Sequence, residues 1–328
     1  MTGLDGRRVY LDWNATAPLR PEARAAMLEA MDAVGNPSSV HAEGRAARAI
    51  LERARGQVAA LLGCAPQEIV FTSGATEAAR VLEGAATPAG QRLDVFVEGT
   101  AHDCLRAHLS TGSWRERPHG PGHAFATGRA NSETGVITQL PAHDEAGWIV
   151  DEGIRASRLL VDAVQALGRI PHDHAETGAD FTIASAHKIG GPKGVGALVV
   201  RDGVEIAPLA EGGGQELGRR SGTENLPGIA GFGAAAEAAR RELEAGAWER
   251  VERLRIILEN TLAEAAPDLI VVGQEAERLP NTACFAVPGW KGETQVMQMD
   301  LAGFAVSAGA ACSSGKMRES RVLRTMGH

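Results

Sequence analysis

The sequence predicts an α/β protein: a mostly parallel sheet with helices on both faces, followed by a smaller α+β C-terminal region. Three observations carry this. Short apolar runs alternate with helical stretches along most of the chain. Residues able to do chemistry stand just after those runs, where a parallel sheet gathers them along one edge. The chain has 328 residues with 44% apolar and 23% charged content, which is ordinary for a soluble protein of about two domains.

In chain order, Val9-Tyr10-Leu11-Asp12 is a short extended start, followed by Trp13-Asn14-Ala15-Thr16-Ala17-Pro18. Pro21 opens a helix expected over Glu22 to Ala33. After the polar turn Gly35-Asn36-Pro37-Ser38-Ser39, a helix is expected from Glu43 to Leu62. Its apolar residues Ala47, Ile50, Leu51, Ala54, Val58, Leu61 and Leu62 recur at three- and four-residue steps, and Gly63 follows as a C-cap. Ile69-Val70-Phe71 reads as a strand that turns through Thr72-Ser73-Gly74-Ala75-Thr76-Glu77 into a helix. Further strands are expected at Leu93–Val97, Ala124–Arg129 and Ser157–Val161. The most informative stretch is Asp180 to Gly194, an apolar strand ending in Ser185-Ala186-His187-Lys188, then a Gly/Pro turn and a second strand at Gly196–Val200. Helix is expected from Pro227 to Ala265, broken at Gly246, with Val251, Leu254, Ile257, Leu258 and Leu262 on one apolar face. Three short strands follow, at Leu269–Val272, Thr282–Val287 and Phe304–Ser307. The break at Gly246 divides the chain into a large domain over 14–245 and a small one over 246–328 joined by 1–13.

A net charge of −8 weighs against a nucleic-acid or anionic-membrane surface. Cys64, Cys104, Cys284 and Cys312 form no CxxC pair and no metal-ligand spacing. No apolar run reaches membrane-spanning length, and no signal-peptide pattern precedes Val9. The expected setting is the reducing cytoplasm, with the cysteines as free thiols.

Lys188 at the end of a buried strand can lose solvent and with it some of its proton affinity, as a Schiff-base lysine needs; a surface lysine in a hairpin is the plainer alternative. The Ser73–Thr76 turn exposes backbone N–H groups that suit a phosphate, and it equally suits an ordinary helix capped by Ser73. With Asp162 and His102 also after strands, the set contains the parts of a pyridoxal 5'-phosphate site: a lysine, a carboxylate for the pyridine nitrogen, a ring to stack and a phosphate turn.

The chain resembles the cysteine desulfurases, class V members of the fold-type I pyridoxal-phosphate enzymes. The resemblance rests on Tyr10-Leu11-Asp12, Gly35–Ser39, Ile69–Glu77, Val161-Asp162-Ala163-Val164-Gln165, Ser185–Gly194, Arg220-Ser221-Gly222-Thr223 and Ser307–Gly315. It implies a seven-stranded-type sheet sandwiched by helices. It implies that Lys188 carries the cofactor, Asp162 meets the pyridine nitrogen, Gln165 the ring hydroxyl, and His102 stacks on the ring and shuttles protons. Ala75, Thr76, Ser185 and His187 would hold the phosphate, and Thr223 would reach the phosphate of the other subunit of a homodimer. Cys312, on a loop rich in Gly and Ser, would attack the sulfur of L-cysteine. The implied products are L-alanine and a persulfide, passed to a sulfur-acceptor protein of iron–sulfur cluster assembly or tRNA thiolation.

Three departures from the family pattern stand out. Asn131-Ser132 replaces the usual Asn-Asn pair near the cofactor, so Ser132, or Asn131 in compensation, is the expected partner there. Ala78-Ala79-Arg80 lacks the usual asparagine, and the stretch between His102 and Asn131 is short. The chain runs only to His328, 16 positions past Cys312, and shows no match for the arginine that binds the substrate carboxylate, so the small domain reads as incomplete. Another class V enzyme, a transaminase or selenocysteine lyase, and a binding protein with a decayed site are the alternatives.

Overall fold

The computed structural model describes residues 8–85, 92–110, 123–151, 154–309 and 319–328. The chain opens with β1 (Val9–Tyr10), α1 (Pro21–Met31) and α2 (Ala42–Leu62), then β2 (Ile69–Thr72) and the short α3 (Ala75–Ala78), which continues as a 3-10 turn over Ala79–Gly84. Next come β3 (Asp94–Val97), α4 (Asp103–Arg106) and β4 (His123–Gly128). β5 (His143–Asp144), β6 (Gly147–Asp151) and β7 (Ile154–Ala156) lead into β8 (Arg158–Asp162), α5 (His174–Thr177), β9 (Phe181–Ser185) and β10 (Gly196–Val200). The C-terminal half holds α6 (Leu226–Glu244), α7 (Ala247–Ala265), β11 (Ile270–Val271), β12 (Phe285–Ala286), α8 (Gly292–Leu301), β13 (Phe304–Ala305) and α9 (Arg321–Thr325).

The central sheet has six strands among the described residues, in the order β2-β10-β9-β8-β4-β3. β9, β8, β4 and β3 run parallel, and β10 is antiparallel to both its neighbours. Its strands are buried along most of their length, as expected of a sheet covered on both faces. One core lies between the sheet and α1, α2 and α6, with Leu51, Val58, Leu62, Phe71, Ile229 and Phe232 at its centre. A second core fills the other face around Val81, Leu82, Val95, Leu105, Leu160 and Phe181.

The expected helix over Glu43–Leu62 is observed as α2, and Gly63 closes it with φ 66°. Gly246 breaks the C-terminal helical run with φ 67°, a conformation that costs other residues a Cβ clash. The apolar face expected on α7 is only partly the face turned to the body: Val251 and Leu262 are half-buried. Leu254, Ile257 and Leu258 are exposed, and Glu259 is buried in their place. It takes a bidentate ion pair from Arg278 at 2.7 and 3.0 Å and a second from Arg255 at 3.3 Å. Position 259 falls four residues after Arg255 and eight after Val251, so the inward stripe is mixed, ionic at its middle and apolar at Val251 and Leu262.

β5–β7 form a three-stranded antiparallel sheet that the sequence reading did not foresee. It occupies the crossover from β4 to the parallel strand β8 and folds back on buried Trp148, whose Nε1 donates to Asp180 Oδ2 at 3.2 Å. β1 pairs in parallel with β13, so the first strand joins the C-terminal region. Among the described residues no helix is long and apolar enough to cross a membrane.

Candidate active site

The sheet register builds the site. Asp162, the last residue of β8, lies beside Gly128 of β4 and Ile183 of β9. Gly196, the first residue of β10, pairs with both Thr72 and Ser185, so the turn after β2 and the lysine turn after β9 flank it. A Cβ at Gly196 would stand 2.6 Å from Gly74 Cα and 2.7 Å from Ala184 O. Glycine is therefore what lets the two turns close over the strand.

These strand ends border a cavity of about 580 Å³. Ala75, Thr76, His102, Asn131, Ser132, Asp162, Gln165, Ser185, His187 and Lys188 all line it. Thr223 does not; it is exposed on a loop. Cys312 lies outside the described residues.

Lys188 sits on a one-turn 3-10 segment, Ala186–Lys188, and is buried. Its Nζ donates to the carbonyls of Asn14 at 2.5 Å and Ala15 at 2.9 Å. The plainer alternative, a surface lysine, is thereby set aside. Asp162 is buried as well, and Oδ1 accepts the Val164 N–H at 2.9 Å. Burial pushes its carboxyl above the usual range, while that N–H and the charges of His102 and Lys188 pull the other way. Such a carboxylate calls for a further cation or donor.

His102 caps α4, and its Nδ1 accepts the Cys104 N–H at 3.1 Å. The neutral ring therefore carries its hydrogen on Nε2. His187 is driven down to about 4 by burial, with the charges of Lys188 and Lys193 adding to it, so its ring is neutral near pH 7. Its Nδ1 and the Thr16 hydroxyl are buried with no hydrogen-bond partner among the described residues.

Ser73 does not cap α3, as the plainer alternative for that turn required. Gly74 holds the cap position without a side-chain bond. The Ser73 N–H instead donates to Glu77 Oε2 at 2.6 Å, and Glu77 also takes Arg220 Nε at 2.9 Å. Asn131 ties its own turn to the segment before His102. Its amide nitrogen donates to Thr100 O at 3.0 Å, and its oxygen accepts from the backbone of Glu133 and Thr134. Asn131 and Ser132 both line the cavity.

Two contributors escaped the sequence reading. The Asn14 carbonyl receives both Lys188 Nζ and Gln165 Nε2, the latter at 3.0 Å. Backbone carbonyls act here, so no residue type could have signalled them. Arg169 is buried behind Gln165 and is lowered to about 10 by burial. Its position four residues after Gln165 was the available signal.

The arrangement offers an amine, a buried carboxylate, a donor amide, a flat imidazole and uncommitted polar atoms around one cavity. Strand-end sites of this kind define the class: α/β enzymes that hold an organic cofactor at the carboxyl edge of the sheet. Residues 9–104 and 124–326 match the family described as Aminotransferase class-V, and the chain belongs to that family. It is 41% identical to a protein named cysteine desulfurase from Cereibacter sphaeroides, over 97% of this chain and 87% of that protein. A NifS-like protein from Rickettsia africae superposes with a TM-score of 0.82 at 30% identity, covering 98% of this chain and 90% of its own. A structure described as SspA in complex with cysteine gives a TM-score of 0.75 at 26% identity, with 97% and 94% covered.

Proposed function

We propose that this chain is a pyridoxal 5'-phosphate-dependent cysteine desulfurase, which takes sulfur from L-cysteine and leaves L-alanine. The observation that carries the cofactor reading is buried Lys188 lining the cavity, with buried Asp162 lining it as well. The donor set fits the group: Lys188 for the aldehyde carbon, Asp162 for the pyridine nitrogen, Gln165 Nε2 for the ring oxygen, His102 for the ring face. Ala75, Thr76, Ser185 and the unpartnered His187 Nδ1 would receive the phosphate.

When bound, the cofactor withdraws electrons from the bonds at the substrate Cα. The chain's own residues do the rest. Lys188, released to the Asn14 and Ala15 carbonyls, has a place from which to take and return the α-proton. His102, with hydrogen on Nε2, can donate to the substrate side of the cavity. The Cys312 thiolate attacks the substrate sulfur: an S–S bond forms, the Cβ–S bond breaks, and a proton is delivered to carbon to give alanine. Burial pushes the thiols of Cys64 and Cys284 up to about 12 and about 11, which leaves them poor nucleophiles at neutral pH.

The exposed position of Thr223 supports a homodimer in which this residue serves the partner's cofactor. A cytoplasmic setting and a protein acceptor for the persulfide complete the reading. The test is alanine formation with sulfur transfer from L-cysteine to a protein acceptor. Cys312→Ala is expected to abolish transfer while the visible absorption of the lysine-bound cofactor persists. Full transfer by Cys312→Ala would show that the nucleophile is another residue.

A further inference from the structure

Arg169 lies behind the cavity wall, and the reading above gives it no role. Its guanidinium is buried, and its side-chain hydrogen bonds go to oxygens of three separate segments. Nη1 donates to the Gln165 carbonyl at 3.0 Å and to Gln165 Oε1. Nη2 donates to the Lys188 carbonyl at 3.3 Å and the Trp13 carbonyl at 3.4 Å. All four acceptors are neutral. A buried cation whose partners among the described residues are all neutral oxygens is a costly way to pack a wall, and an apolar side chain of similar volume would serve packing alone as well or better.

What the guanidinium adds is that it can only donate. The Gln165 amide has one acceptor end and one donor end. With Oε1 taken by Arg169, the NH2 group must face away, and it does, toward Asn14 O at 3.0 Å on the cavity side. The amide orientation thus follows from hydrogen-bonding chemistry.

We propose that Arg169 is a positioning residue that makes Gln165 an obligate hydrogen-bond donor to the cofactor's ring oxygen, and so tunes the proton on the nitrogen that joins Lys188 to the cofactor. The proposal rests on the cofactor reading above. A donor on the ring oxygen competes with that neighbouring proton for the same oxygen. Without the donor the proton is held more tightly, and the pH at which it leaves rises. Removing the nearby positive charge acts in the same direction.

The experiment titrates the visible absorption of the holoenzyme against pH in Arg169→Met, Arg169→Gln, Gln165→Leu and the Arg169→Met/Gln165→Leu double variant. Thermal midpoints are recorded beside it. Glu77, Glu98, His102, Asp162, His187 and Lys193, which line the same cavity, are unchanged throughout. Arg169→Met is expected to raise the absorption midpoint by about one pH unit, or ~1.4 kcal/mol. In the Gln165→Leu background the same change is expected to add less than half of that, because Arg169 acts through Gln165. A lowered thermal midpoint with an unmoved absorption midpoint would overturn the proposal, as would full additivity. If Arg169→Met does not fold, Arg169→Gln decides, since its amide is uncharged and can accept as well as donate: an upward shift supports the proposal, and no shift overturns it. A wild-type protein that develops no visible absorption with the cofactor would overturn the cofactor reading itself, which is a distinguishable result.

Discussion

At the scale of single residues, Asp162 shows how this site sets function against stability. It is buried, with one backbone N–H to accept and the charges of His102 and Lys188 only partly offsetting its desolvation. Its folded-state pKa is raised, so its ionisation opposes folding as pH climbs from its ordinary value of 3.8 through the raised one. The cofactor-free chain therefore carries a growing cost as pH rises through that window. Asp162→Asn keeps the shape and removes the charge. The expected outcome in cofactor-free protein is a higher urea midpoint at pH 7 than wild type. The same variant should lose about 100-fold or more in turnover, since an amide cannot hold a protonated pyridine nitrogen. A lower urea midpoint in the variant would mean that the carboxylate is already well compensated by its protein neighbours.

At the scale of elements, the close contact between α6 and α2 fixes the layer beneath the site. α6 is built from small residues, with Gly228, Gly231, Gly233, Ala235 and Ala236 buried along it. A Cβ at Gly233 would stand 2.6 Å from Ala54 Cα and 2.6 Å from Gln57 Oε1. The first of these is backbone and cannot swing aside. Gly233→Ala, despite its better helix propensity, is expected to lower stability by about 1–3 kcal/mol, read as a shift in the urea midpoint. At Gly231 the nearest atoms belong to the flexible Met27 side chain, so Gly231→Ala should cost less. The period of α2 and the Gly246 break were legible in the sequence because apolar spacing and a left-handed turn leave residue-type signatures. The same holds for Asp162, His102 and Ser185–Lys188, where apolar runs end in chemistry-bearing residues. The β5–β7 sheet was not legible: its strands are two, five and three residues long, too short for a period to register. The inward face of α7 misled for another reason, because an Arg255–Glu259–Arg278 cluster overrode the middle of the apolar stripe. Nor could the sequence reveal the carbonyls of Asn14 and Ala15, since every residue has one.

At the scale of the whole molecule, several buried or half-buried imidazoles make acid stability a readable property. His172 and His187 are each lowered from 6.5 to about 4, chiefly by burial, and His174 is lowered as well. The folded chain holds them neutral where the unfolded chain would protonate them. Between pH 6.5 and about 4 the unfolded state therefore binds more protons, and stability must fall as pH falls through that window. Asp162 and Glu133 work in the opposite sense, since both carboxyls are raised by burial and gain stability as they protonate. The net slope is a contest, and variants isolate the histidine part of it. His172 offers the clean test, because both its ring nitrogens are buried without a partner among the described residues and it does not line the cavity. His172→Gln removes the titration and keeps a side chain of comparable reach. Urea midpoints of the cofactor-free protein, measured from pH 7.5 down to 4.5, should fall less steeply in the variant than in wild type. Parallel profiles would mean that His172 takes up its proton in the folded state as easily as in the unfolded one, and the burial around it would not be what sets its charge.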